Sequence, residues 1–125
     1  MNISYDAYVI AVDDIIEEEV VLLVEGNKIR AFASFCPEKI EIGKKYKAEF
    51  NLVIPDSELI EITLETVPRI EMLGQGLACT VYGYLSNATI RSIVDFPDQD
   101  IHYDYPDCND NYIKIDVERV DVSLE

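Results

Sequence analysis

Apolar and polar residues alternate with a period of two along much of the chain, most clearly from Val20 to Ile54. There Val20-Val21-Leu22-Leu23-Val24 is followed by Glu25-Gly26-Asn27, and Ile29, Ala31, Ala33 and Phe35 then fall on one phase between Lys28 and Phe35. After a loop from Cys36 to Lys45, punctuated by Pro37 and Gly43, the residues Tyr46, Ala48, Phe50, Leu52 and Ile54 alternate with Lys47, Glu49, Asn51 and Val53. Such alternation, broken by a Gly-Asn turn, predicts antiparallel strands with one buried face, a β-meander.

The flanking segments extend the pattern. Ser4 to Val12 carries apolar residues on both phases, which suits a strand covered on each side. Asp13-Asp14 and Glu17-Glu18-Glu19 bracket Ile15 and Ile16, giving a turn or a single helical turn before a strand that starts at Glu19. Pro55 stops the strand Tyr46 to Ile54, because proline lacks the donor a ladder requires. Asp56-Ser57-Glu58 carries a helix-capping signal, but the alternation of Ile60, Ile62 and Leu64 with Glu61, Thr63 and Glu65 outweighs it and predicts a strand from Leu59 to Val67. Arg69 to Leu73 continues along a neighbouring strand, and Gly74-Gln75-Gly76 is a turn. Leu77 to Ser86 is a further strand, with Gly83 inside it marking a sharp coil or a close backbone approach. Asn87-Ala88-Thr89 turns the chain into Ile90 to Asp95. In the last strand, Tyr112 to Leu124, the apolar phase slips by one at Glu118 and Arg119, and a β-bulge there would return all six apolar side chains to one face.

About eight short strands, little helix and no internal repeat predict an all-β fold, an antiparallel small barrel or sandwich. A barrel of the oligonucleotide-binding type is one candidate. The 125 residues are the size of a single β domain with one core, and 49% hydrophobic residues spread along the chain exclude a disordered segment. Cys36, Cys79 and Cys108 are odd in number and form no C-x-x-C pair, which argues against a zinc ribbon and against a disulfide framework. With no secretory leader pattern and no apolar run of about 20 residues, a cytoplasmic protein with reduced thiols is expected.

Charge changes the picture most. Twenty-five acids against ten bases give a formal charge of −15, which opposes contact with phosphate backbones and anionic lipid. Six of the ten bases, Lys28, Arg30, Lys39, Lys44, Lys45 and Lys47, fall between positions 28 and 47. From Asp95 to Asn111 there are six aspartates, Asp95, Asp98, Asp100, Asp104, Asp107 and Asp110, and no lysine or arginine. Tyr103 and Tyr105 lie among them, with Phe96 and Tyr112 nearby and Pro97 and Pro106 restricting the backbone. Rings supply contact area at low entropy cost and carboxylates steer a cation, so the segment is the candidate face for a basic protein partner.

Competing chemistry is weaker. Asp98-x-Asp100-x-His102-x-Asp104 places oxygen ligands at alternate positions, but it lacks the glycine and the terminal glutamate of a calcium loop, so no metal and no cofactor is expected. His102 is the sole histidine, no nucleophile sits in a recognisable motif, and the expectation is a protein that is not an enzyme. The alternative is an oligonucleotide-binding type of barrel that holds single-stranded nucleic acid or a small ligand on Lys28, Arg30, Phe32, Lys44, Lys45 and Lys47. The leading expectation is a non-catalytic acidic module of the inhibitor or immunity type that blocks a basic partner such as a nuclease, with nucleic acid and membrane not expected as partners.

Overall fold

The computed structural model describes residues 3–55 and 59–125, and for Leu59 the backbone alone. The strands predicted from the alternation are present as β2 (Glu19–Val24), β3 (Asn27–Phe35) and β4 (Lys45–Val53), preceded by β1 (Tyr5–Val12), but they do not form the expected meander, because β3 and β4 are not paired with each other. A strand from the far end of the chain, β11 (Arg119–Leu124), inserts between β3 and β4, and β4 pairs back onto β1. The result is a closed five-stranded barrel of order β1-β2-β3-β11-β4. Every pairing is antiparallel except β3 with β11, where Asp121 lies opposite Phe32 and Val122 opposite Ala33.

Alternation explains why the barrel closes. Each strand turns every second residue inward, and the inward set mixes the small Ala7, Ala31, Ala33 and Ala48 with the large Leu22, Ile29, Phe50 and Leu52, all buried. A narrow barrel needs that mixture, since small residues let opposite walls approach while large ones fill the remaining volume. A register shift between Val9 and Ala11 lets β1 bend around the barrel to meet both β2 and β4.

Between β4 and β11 the chain builds a second sheet from β5 (Leu59–Ile62), β6 (Arg69–Met72), β7 (Cys79–Ser86), β8 (Thr89–Arg91), β9 (Asp95–Pro97) and β10 (Tyr112–Val117). Its path is β5-β10-β7-β8-β9, with β6 also paired to β7. A short helix, α1 (Ile101–Asp104), and a 3₁₀ turn (Pro106–Cys108) lie between β9 and β10. The buried side chains of barrel and sheet form one continuous cluster. Hydrogen bonds tie the two at their junction: the Asp95 amide donates to the Tyr5 hydroxyl (2.8 Å), and the Gln99 side-chain amide donates to the Leu52 carbonyl (2.6 Å).

The all-β class with little helix is therefore observed, with eleven strands among the described residues rather than about eight. The additional strands arise where runs are interrupted. Tyr112 to Leu124 is not one bulged strand: the phase slip at Glu118 is where the chain leaves one sheet for the other. β10 turns Ile113, Ile115 and Val117 into the second sheet's core, and β11 turns Val120, Val122 and Leu124 into the barrel. Glu118, at the crossing, donates its amide to the Val53 carbonyl (2.8 Å). The predicted strand Leu59 to Val67 ends at Ile62, and beyond it Leu64 is 98% exposed, so its alternation does not correspond to a buried face. The capping signal at Asp56-Ser57-Glu58 lies outside the described residues. Ile90 to Asp95 divides into β8 and β9 around Ser92, whose hydroxyl donates to the Tyr82 carbonyl (2.6 Å).

Gly83 sits where β7 exchanges β6 for β8 along one edge, between Tyr82, opposite Arg69, and Tyr84, opposite Arg91. A Cβ added there would lie 2.7 Å from the Arg91 carbonyl oxygen and 3.0 Å from Ile90 Cγ2, so the close backbone approach expected from the sequence is real. Gly83→Ala forces β7 and β8 apart, and overpacking of this kind costs about 1–3 kcal/mol. Urea unfolding should show that loss for Gly83→Ala and almost none for Gly76→Ala, whose Cβ would meet open space. Equal midpoints for the two variants would contradict the strand exchange.

Candidate functional site

The segment from β9 to β10 is anchored before it is exposed. Phe96, Ile101 and Cys108 are buried beneath it and fix its two short helical turns. Asp98 is 3% exposed. Its carboxylate accepts the amides of Asp100 (3.1 Å) and His102 (3.1 Å) and also contacts His102 Nδ1. Further along, Asn109 donates to the His102 carbonyl (3.1 Å), and Asn111 donates to the carbonyls of Asp107 and Asn109 (both 3.0 Å). The Asp110 carbonyl accepts the Tyr84 hydroxyl (3.0 Å), and the Tyr84 and Tyr112 rings meet edge to face at 5.0 Å.

Of the eight residues expected to form the acidic face, Asp100, Tyr103, Asp104, Asp107 and Asp110 are exposed, with Tyr103 at 74%. Asp98 is not part of any accessible face. It is a buried support, because an aspartate followed by a tight turn satisfies the turn's free amides with its own carboxylate. Asp95 and Tyr105 are half-buried, the latter packed against the core. Alternate spacing had suggested that Asp98, Asp100, His102 and Asp104 share one side. The turn of α1 keeps Asp98 and His102 in contact and leaves Asp100 and Asp104 exposed, and among the described residues no three His, Cys, Asp or Glu side chains are grouped to hold a metal ion.

The basic residues take a different arrangement. Lys28, Arg30 and Phe32 point outward from β3, and Lys45 and Lys47 point outward from β4, on strands separated around the barrel by β1 and β2 on one side and β11 on the other. Registers place Lys45, Tyr8, Leu23 and Lys28 in one outward row across β4, β1, β2 and β3. Several of these cations already have partners. Lys47 pairs with Asp6 (2.6 Å), Lys44 pairs with Glu38 (3.0 Å), and the Arg30 guanidinium donates to the Gln75 carbonyl. Phe32 is covered by the Arg119 guanidinium at 4.5 Å from its ring.

A feature not anticipated from the sequence is a cleft of about 630 Å³ between the β1–β2 turn and the segment that follows β3. Carboxylates of Asp13, Asp14, Glu17, Glu18, Glu38 and Glu41 line it together with Val12, Phe35, Cys36, Ile40 and Ile42, and Lys39 is its one cation. The Asp13 carboxylate accepts the amides of Ile15 and Ile16 (both 2.9 Å) and shapes the turn. Those bonds, Ile16 first, hold the Asp13 carboxyl below the usual carboxylate range. Their contribution is thus present above the unfolded pKa and lost as pH falls through the folded one. The signal in the sequence was Ile15-Ile16 set among acids. Its meaning depended on which loop would lie opposite, and that is decided by the pairing of β1 with β4.

All three cysteines are free thiols. Burial pushes the Cys79 thiol up to about 11, which keeps it protonated, and Cys108 is raised for the same reason. Cys36 is half-exposed in the cleft wall. No helix among the described residues is long and apolar enough to cross a membrane.

Removing the Asp98 carboxylate while keeping its backbone tests the support role. Asp98→Ala should destabilise the protein by about 1–2 kcal/mol, the usual cost of losing such a cap. Hydrogen exchange at the Asp100 and His102 amides should accelerate more than at β10. Unaltered exchange at those two amides would show that the carboxylate does not hold them.

No curated protein matches the chain, and no solved structure does. Residues 3–125 match the model of one family, so the chain belongs to the family described as uncharacterised conserved protein UCP019853.

Proposed function

We propose that the protein is a cytoplasmic, non-catalytic binding module whose acidic, tyrosine-bearing surface between Asp95 and Tyr112 engages a basic protein. The observation that carries this reading is the contrast within that segment. Asp100, Tyr103, Asp104, Asp107 and Asp110 are exposed, while Asp98, Asn109 and Asn111 fasten the backbone beneath them. A surface fixed before binding loses little entropy when a partner arrives, so its rings and carboxylates convert more of their contact energy into affinity. The formal charge of −15 accelerates encounter with a cation and repels anionic partners, nucleic acid and membrane among them. An inhibitor or immunity-type role, in which this face blocks the substrate-binding surface of a basic partner such as a nuclease, makes use of all these properties.

A second reading is favoured by the strand order. A closed five-stranded barrel of order β1-β2-β3-β11-β4 supports a barrel of the oligonucleotide-binding type, in which the second sheet would be an insertion before the last strand. In that reading the outward row Lys45, Tyr8, Leu23 and Lys28 would hold a single strand by stacking and charge. The carboxylates of Asp6 and Glu38, already paired with Lys47 and Lys44, weaken it.

Two measurements separate the readings. Wild-type protein used as bait in its source cells should retain a basic protein, and the triple variant Asp100→Lys, Asp104→Lys, Asp107→Lys should retain at least about tenfold less, the scale expected when steering charges are reversed. Labelled single-stranded oligonucleotide should not bind at any ionic strength. Equal retention by the triple variant, or oligonucleotide binding that weakens steeply with salt, would refute the first reading, and the latter outcome would establish the second.

A further inference from the structure

We propose that the cleft between residues 12–18 and 33–42 is a second docking site, for a peptide segment that carries lysine or arginine beside an apolar side chain. It lies at the end of the barrel where β4 begins, away from the end at which the chain leaves β4 for the second sheet and returns through β11. It is therefore a different surface from the segment between Asp95 and Tyr112, and it shares with the proposed function only the sign of the partner's charge.

The occupant follows from what the walls offer. A volume of about 630 Å³ suits a small ligand or a few side chains rather than a folded domain. Phe35 is 49% exposed and Ile42 67%, both on the lining, and Ile15 (89%) and Ile16 (43%) stand on the turn that forms one wall. Single exposed apolar residues are ordinary, but two on the lining of one concavity, with two more on the adjoining turn, make a surface that gains by being covered.

Charge then selects among apolar ligands. Glu38 is paired with Lys44, and the Asp13 carboxylate is bound to the amides of its own turn. Asp14, Glu17, Glu18 and Glu41 make no ion pair among the described residues. A neutral apolar ligand would cover Phe35 and Ile42 but take water from these carboxylates without replacing it. A purely cationic ligand would remain hydrated at the rim, where exposed pairs are screened and weak. A segment with both kinds of side chain buries the apolar wall and gives the carboxylates charged hydrogen-bond donors. An anionic segment is opposed at every wall except Lys39.

The probe is an acetylated, amidated six-residue peptide of alternating leucine and lysine, with hexalysine, the leucine–glutamate analogue and spermine as controls. Titration into ¹⁵N-labelled protein should shift amides of residues 12–18 and 33–42. Glu17→Lys with Glu18→Lys should weaken the peptide about tenfold, as should Phe35→Ser; all three positions are exposed, so the fold should be retained. The triple variant at Asp100, Asp104 and Asp107 should bind the peptide within twofold of wild type, so that failure of the proposed function and failure of this site give different results. The proposal is overturned if the peptide does not bind, if its shifts fall on residues 95–112, if hexalysine or spermine binds as tightly, or if the cleft variants bind as wild type does.

Discussion

The barrel exists because the last strand of the chain enters between two strands formed much earlier. Without β11, strands β1 to β4 are an open sheet of order β4-β1-β2-β3 with β3 and β4 as its free edges, and both would present unpaired amides and carbonyls next to an apolar inner face. With β11 in place, one edge is closed by parallel pairing to β3 and the other by six antiparallel partners from Arg119–Val53 to Leu124–Ala48. The contacts that achieve this are far apart in sequence, Val122 meeting Ala33 and Leu124 meeting Ala48 for example, so closure depends on long-range pairing that bears a large loop-closure entropy. The second sheet shortens that loop in space, because β10 delivers the chain directly to the start of β11.

Strand pairing also positions the surfaces of functional interest. The pairing of β2 with β3 and of β1 with β4 brings the β1–β2 turn opposite the segment after β3 and so creates the acidic cleft, while the exit from β4 and the return to β11 put the inserted sheet at the other end. In the insertion, the apolar Phe96, Ile101 and Cys108 point down and the carboxylates of Asp100, Asp104 and Asp107 point out. Two structured surfaces are thus rich in carboxylates, and the bases are dispersed over the barrel and the second sheet, several of them in ion pairs.

The sequence revealed the first four strands, the tight environment of Gly83 and the acidic character of the segment after Asp95, because each depends on local period or composition. It did not reveal the sheet exchange at Glu118. A one-residue phase slip is the same whether a strand bulges or passes from one sheet to another, and only the partners distinguish the two. Asp98 was hidden for a related reason: among six aspartates, the one that turns inward to bind its neighbours' amides has no mark of its own. The cleft was invisible because its walls, residues 12–18 and 33–42, become neighbours only through the pairing of β2 with β3 and of β1 with β4.

The closure itself is most directly tested by cross-strand nuclear Overhauser effects between β11 and β3. The account predicts a parallel pattern of contacts joining the backbone of Asp121 to that of Phe32 and Val122 to that of Ala33, with a shift in register by Ser123 and Phe35. Finding none of these contacts, or finding β11 continuing antiparallel along the second sheet as an extension of β10, would mean that the barrel is not closed in this way.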